Sequence, residues 1–195
     1  MKIIQRPLSH AASVSGLLLS ALTLHAQIYQ LSIDDSNPAA VVISATGANA
    51  TANASNGSAQ GIVLANFFTA IQGIGYSVSA PTLVVPGSDF LQTATSFNFS
   101  GTQVDLNLRN SGASPAGENF STGSVAFLGS VTLDMTLSVA ALPVPGAFGS
   151  IVAFNFGTNP TVGQWTVVAV PEPESCAIAG GLALIGFAHW RRRNA

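Results

Sequence analysis

Residues 130–139 read SVTLDMTLSV, and every second side chain is apolar: Val131, Leu133, Met135, Leu137 and Val139 alternate with Ser130, Thr132, Asp134, Thr136 and Ser138. Side chains of an extended chain point alternately to its two faces, so this unbroken period of two predicts a strand with one buried face. All five apolar residues are expected in the core. Upstream, Val104, Leu106 and Leu108 alternate with Asp105, Asn107 and Arg109, and Phe97 and Phe99 stand among Ser96, Asn98 and Ser100. Ser100-Gly101-Thr102 can turn the chain between these two runs, which predicts a hairpin. On this pattern Asp105 and Asp134 belong to solvated strand faces.

Shorter runs of the same kind occur at 28–33, 40–45, 76–79, 82–85, 125–128, 151–156 and 165–170, separated by Gly, Pro, Ser and Asn. Such spacing predicts an all-β body over residues 27–169, an antiparallel β-sandwich or jelly roll. Within it, 61–71 (GIVLANFFTAI) carries Leu64, Phe67, Phe68 and Ile71 near one helical face and is expected to form a short helix or turn. The stretch 47–61 (GANATANASNGSAQG) has no hydrophobic period and is expected to be an exposed loop. Its Asn-x-Ser/Thr triplets at Asn49, Asn53 and Asn56, like those at Asn98 and Asn119, are what coincidence supplies in a chain so rich in these residues.

The whole chain has 195 residues, 48% hydrophobic and 7% charged, with a net charge of -2. Ordinary soluble domains carry about 25% charged residues, so this is an unusual body or a body with apolar appendages. Five of the six cations, Lys2, Arg6, Arg191, Arg192 and Arg193, lie at the two ends. Between Gln27 and Val170 six carboxylates face Arg109 alone, a net of -5, which excludes a nucleic-acid partner that would need its phosphates neutralised. That middle also lacks Cys, so no disulfide can form inside it.

At the N-terminus Lys2 and Arg6 precede the apolar run 11–24 (AASVSGLLLSALTL), and small Ala26 is followed by Gln27. A cationic start, a short apolar core and a small residue at the cut have the form of a secretory signal peptide, with cleavage between Ala26 and Gln27. Residues 1–26 are therefore expected to be a signal helix, and the body an exported, extracytoplasmic domain.

At the C-terminus Pro171-Glu172-Pro173 is followed by the apolar run 176–190 (CAIAGGLALIGFAHW) and then Arg191, Arg192 and Arg193. The prolines keep the connector extended. As a helix the run rises about 22 Å, short of the roughly 30 Å hydrocarbon layer, and Trp190 with the snorkelling arginines can make up the difference. Arginines resist translocation, so they would stay on the cytoplasmic side and leave the body across the membrane. A plain tail anchor would have no need of the Pro-Glu-Pro, and the apolar tail of a GPI signal does not end in three arginines.

This three-part end, 170–195, resembles the PEP-CTERM sorting signal of Gram-negative bacteria. The resemblance implies recognition by an exosortase-like membrane transpeptidase through Pro171, Glu172 and Pro173, retention by Arg191, Arg192 and Arg193, and transient residence in the inner membrane. It further implies export by the Sec pathway, a body held in the periplasm and then passed to the cell surface or matrix, and association with extracellular polysaccharide or biofilm. Cys176 and His189 are unusual in such a helix.

The body between Gln27 and Val170 has no His, Cys or Lys, so His-dependent nucleophilic systems and His-based zinc sites cannot be assembled in it. Two carboxylates suffice for a glycosidase, and Asp89, Asp105, Glu118 and Asp134 are the candidates, but solvated strand faces already account for Asp105 and Asp134. Asp34, Asp35 and Asn37 make an oxygen-rich cluster that could take Ca²⁺ if carbonyls completed it; an acidic turn after the first strand is the simpler reading, and no cofactor is expected. Trp165 is the best candidate for a glycan-stacking platform, set against a buried core tryptophan. The expectation is a surface-sorted structural protein with no catalytic role; the alternative is a lectin-like, carbohydrate-binding module.

Overall fold

The computed structural model describes residues 28–56, 61–73, 75–110, 117–155 and 158–168. Both the signal peptide and the sorting segment expected from the sequence lie outside these residues. In chain order the strands are β1 (Leu31–Asp34), β2 (Val41–Ala45), β3 (Ala54–Ser55), β4 (Ile62–Leu64), β5 (Gly75–Ser79), β6 (Thr93–Phe97), β7 (Asp105–Arg109), β8 (Asn119–Phe120), β9 (Ser130–Asp134), β10 (Phe148–Ala153) and β11 (Thr161–Val167). Nine of them close into one barrel, in the order β1-β11-β10-β4-β7-β6-β5-β9-β2, while β3 and β8 pair in a separate ribbon.

The all-β expectation holds, but the body is a closed barrel and not a sandwich or jelly roll. Alternation predicts only that each strand has an inner face; the partners of the outermost strands decide between two sheets and a ring. Here β1 pairs antiparallel with β2 on one side and parallel with β11 on the other, Leu31 lying opposite Trp165 and Ile33 opposite Val167. This is the only parallel seam among the described strands, and it removes both free edges of the sheet.

Inward positions follow the period of two: Leu31 and Ile33, Val41 and Ile43, Leu106 and Leu108, Val131 and Leu133 are all buried in one continuous core. Trp165 and Phe67 are among its largest members, with ring centroids 5.5 Å apart. Burying each such side chain favours folding by about 1.5–3 kcal/mol, and with no cysteine in the body this packing carries the stability. A smaller cluster, in which Phe154 meets Phe97 at 4.9 Å and Phe99 at 6.3 Å, contains Phe97, whose position in β6 is of opposite parity to inward Ala94.

The hairpin expected between the two central runs is present, with Phe97 opposite Asp105 across β6 and β7. The expected ten-residue strand over 130–139 is cut in half. Asp134 accepts hydrogen bonds on Oδ1 from the Thr136 amide (3.0 Å) and hydroxyl (2.8 Å), a local turn that ends β9, and Thr136–Ala141 continues as 3₁₀ structure. Val131, Leu133 and Met135 are buried as expected, but Leu137 and Val139 face solvent and Ser138 is buried instead, bonded to Tyr76 Oη at 3.1 Å.

Residues 61–71 are also corrected: Ile62–Leu64 form β4, between β10 and β7, and a turn follows. All three β4 residues are buried, which erased the alternation that marks a strand. The runs at 82–85 and 125–128 contribute only isolated bridges, Val84 to Phe90 and Leu128, and Val125 to Asn49. The stretch 47–61 is not a wholly exposed loop, since it contains β3 and buried Asn56.

Because β1 and β11 run parallel, the chain enters the barrel at one end and leaves it at the other. The exit end gathers segments 35–40, 65–73, 98–104 and 135–147 and the departing chain at Val168; the entry end gathers 46–53, 80–92, 121–129 and 158–160.

Candidate functional site

Pro171, Glu172 and Pro173, Arg191, Arg192 and Arg193, and the Ala26/Gln27 junction all lie outside the described residues. The structure does describe the chain that leads to them. Val167 is buried in β11, and the Val168 amide donates to the Ile33 carbonyl at 2.8 Å, so the barrel grips the chain to within three residues of Pro171.

Trp165 cannot serve as a glycan platform, because it is only 1% exposed and packs against Phe67 inside the barrel. Tyr76 is likewise buried, and burial raises its phenol pKa while the bond with Ser138 opposes the rise.

The acidic turn at the exit end is held by its own backbone. Asp34 Oδ1 accepts from the Ser36 amide at 3.1 Å, and hydrogen bonding with Ser36 lowers its pKa. Asn37 Oδ1 accepts from the Ala39 amide at 3.1 Å and caps the short 3₁₀ turn Pro38–Ala40. Asp35 is shifted upward, by partial burial first and then by the charge of Asp34. Among the described residues no three His, Cys, Asp or Glu side chains stand together in a metal-holding group.

The other carboxylates are scattered. Asp105, expected on a solvated face, is fully buried, and its oxygens accept from the amides of Asn66 (2.6 Å), Phe99 (2.8 Å) and Ser100 (2.9 Å) and from Ser100 Oγ (3.0 Å). It is the clamp for two exit-end turns, one of which places Asn66 at φ +53°. Asp134 is exposed at the same end, and its bonds with Thr136 lower its pKa. Glu118 is buried at the entry end with neither carboxylate oxygen in a well-formed hydrogen bond; burial raises its pKa, weaker polar contacts with its own backbone and with Asn56 oppose the rise, and the charge of Asp89 adds to it. Asp105 and Asp134 thus sit at the opposite end from Glu118, and Asp105 is saturated with backbone donors.

A feature the sequence reading missed is an open groove of about 540 Å³ at the entry end, lined by Asn53, Ser55, Phe120, Asn155, Thr158 and Pro160, with Ala54 between them. The β3/β8 ribbon builds one wall. Asn53 Oδ1 accepts from the Thr122 amide at 2.9 Å, and the Asn155 amide donates to Asn159 Oδ1 at 2.9 Å, which fix the two sides. The lining offers amides, hydroxyls and one aromatic ring without a formal charge, a surface suited to a neutral, hydroxyl-rich ligand. The Asn-rich composition of 47–61 was the available signal, but only long-range bonds, from the Thr51 amide to the Val162 carbonyl and from Asn155 Nδ2 to the Ser55 carbonyl, bring it beside Asn155, Thr158 and Pro160.

Comparison with protein-family models, with curated proteins and with solved structures found no match.

Proposed function

We propose that this chain is an exported structural protein of a Gram-negative surface or matrix, held at the inner membrane by 176–190 and processed by an exosortase-like enzyme at Pro171-Glu172-Pro173. The supporting observation is positional: the three-part end follows directly on Val168, the last described residue, whose amide the closed barrel still holds through the Ile33 carbonyl. A self-contained barrel with no His, Cys or Lys suits a building block better than a catalyst.

Two sets of substitutions test the reading in a native host with C-terminal tag detection. Replacing Arg191, Arg192 and Arg193 by Asn should let unprocessed chain escape the membrane. Pro171→Ala with Glu172→Ala should leave it anchored and uncut. Normal maturation of that double variant would reduce the end to a tail anchor.

The carbohydrate-binding alternative is kept for one reason, the neutral groove at the entry end. It no longer involves Trp165. Glycan-array binding abolished by Asn155→Ala together with Asn53→Ala, in a protein of unchanged fold, would favour it; absence of any glycan binding would leave the passive matrix role.

A further inference from the structure

Nine large hydrophobic residues are exposed among the described residues, and six of them, Ile71, Leu137, Val139, Val144, Phe148 and Val168, lie at the exit end. Leu137 is 85% exposed, and Ile71, Val144 and Phe148 are each 60% exposed or more. Their placement follows from the connections. Leu137 and Val139 lie on the 3₁₀ segment after β9, where Ser138 turns inward and donates to Gln72 Oε1 at 2.9 Å, bringing Ile71 alongside. Val144 sits in the turn closed by the Ala147 amide, and the adjacent Gly146 amide donates to Val167 O at 3.0 Å. Phe148 faces Thr166 across β10 and β11, which makes Val168 its diagonal neighbour on the same outer face.

Singly exposed hydrophobes are ordinary, but a concentration of them around the point where the chain departs is not. From Val168 to Cys176 there are eight residue steps, which cannot span more than about 28 Å even when fully extended. Once 176–190 is in a bilayer, the exit end is therefore confined near its surface, and a contact too weak to form between free molecules becomes intramolecular.

We infer that the exit end of the barrel rests on the membrane, with Leu137, Val139, Ile71, Val144, Phe148 and Val168 in the interfacial zone of the lipid. This rests on the anchor reading of 176–190. The lipid chemistry is that of an electroneutral, zwitterionic surface, because the cations of the described body reduce to Arg109 at the entry end, while Asp34, Asp35 and Asp134 all stand at the exit end. Docked this way, the body holds the 171–173 motif against the membrane surface and turns the neutral groove away from it.

The test uses the full chain with Cys176→Ser and one introduced cysteine, Leu137→Cys at the exit end or Ser121→Cys at the entry end, each carrying an environment-sensitive fluorophore. The protein is reconstituted in phosphatidylcholine vesicles with or without brominated acyl chains. The label at 137 should shift to the blue on reconstitution and be quenched several-fold more strongly by bromolipid than the label at 121. Equal, weak quenching at both positions in protein that floats with the vesicles overturns the docking while sparing the anchor. Failure to float overturns both. A label at 137 already shielded without lipid also overturns it, since another part of the protein or a second copy would then be the cover.

Discussion

Asn56 and Glu118, 62 residues apart, are joined twice: the Glu118 amide donates to Asn56 Oδ1 at 2.7 Å, and the Asn56 amide donates to the Glu118 carbonyl at 3.1 Å. Asn56 Nδ2 also donates to the Gly61 carbonyl at 2.6 Å, so one amide side chain fastens the β3/β8 ribbon to the start of β4. The Glu118 carboxyl is carried inward by this clasp, where no well-formed hydrogen bond offsets its burial.

That arrangement makes a pH prediction. The Glu118 pKa is raised in the folded protein, so between the unfolded value of 4.5 and the folded one the native state binds more protons. Its contribution to stability is full below pH 4.5 and is lost as pH rises through the folded pKa. Glu118→Gln should remove the loss: urea midpoints for wild type relative to the variant should fall between pH 4 and pH 8, with the variant the more stable at pH 8. A constant difference across that range would show that the carboxyl ionises without cost.

Asp105 should behave in the opposite sense to a solvated strand carboxylate. With four donors aimed at its two oxygens, Asp105→Asn turns an amide NH₂ toward at least one donor and should cost about 1–3 kcal/mol in urea unfolding. A change no larger than that of an exposed Asp→Asn would deny it the clamp role.

Leu133 and Leu137 occupy equivalent places in the alternating run but unlike places in the fold. Leu133→Ala leaves a cavity in the barrel and should cost about 2–5 kcal/mol, whereas Leu137→Ala should stay within about 0.5 kcal/mol in detergent-free solution. Equal costs would restore the ten-residue strand.

Gly149 lies opposite Trp165, and a Cβ added there would fall 2.7 Å from indole Cε2 and Cζ2 and from the Ala65 carbonyl oxygen. Gly149→Ala should cost about 1–3 kcal/mol and shift the near-ultraviolet dichroism of the Trp165 indole, followed in a Trp190→Phe background. An unchanged spectrum would mean that the ring has room to withdraw.

These contrasts show which parts of the fold could be read from residues alone. Alternation located most strands and the Phe97/Asp105 hairpin, because one buried face leaves a period of two in the sequence. It failed where both faces are covered, as at Ile62–Leu64, and where a side chain ended the strand locally, as Asp134 does by binding Thr136. It could not foresee that Asp105 and Glu118 would be buried, since three of the four donors around Asp105 are backbone amides and those carry no sequence signature. Nor could it see the ring: Leu31 opposite Trp165 is a pairing over more than a hundred residues, and nothing in either strand names the other. The groove escaped for the same reason, being assembled from Asn53, Ala54, Ser55, Phe120, Asn155, Thr158 and Pro160.

The parallel seam also sets a condition on timing. Chains grow from the amino end, so β1 is made early and must wait for β11, the last strand, before its second edge is covered; 134 residues separate Gln30 from Gln164, whose amide bonds to Gln30 Oε1 across that junction at 2.7 Å. A product that stops short lacks the closing strand and keeps two raw edges, the state most prone to pair with other copies and to be cleared by proteases. A product that reaches Val167 can shut the ring, and residues 171–173 are synthesised only after that point. If 171–173 is the sorting motif proposed above, the order of synthesis would work as quality control, because any molecule long enough to carry it already contains every strand described in the barrel.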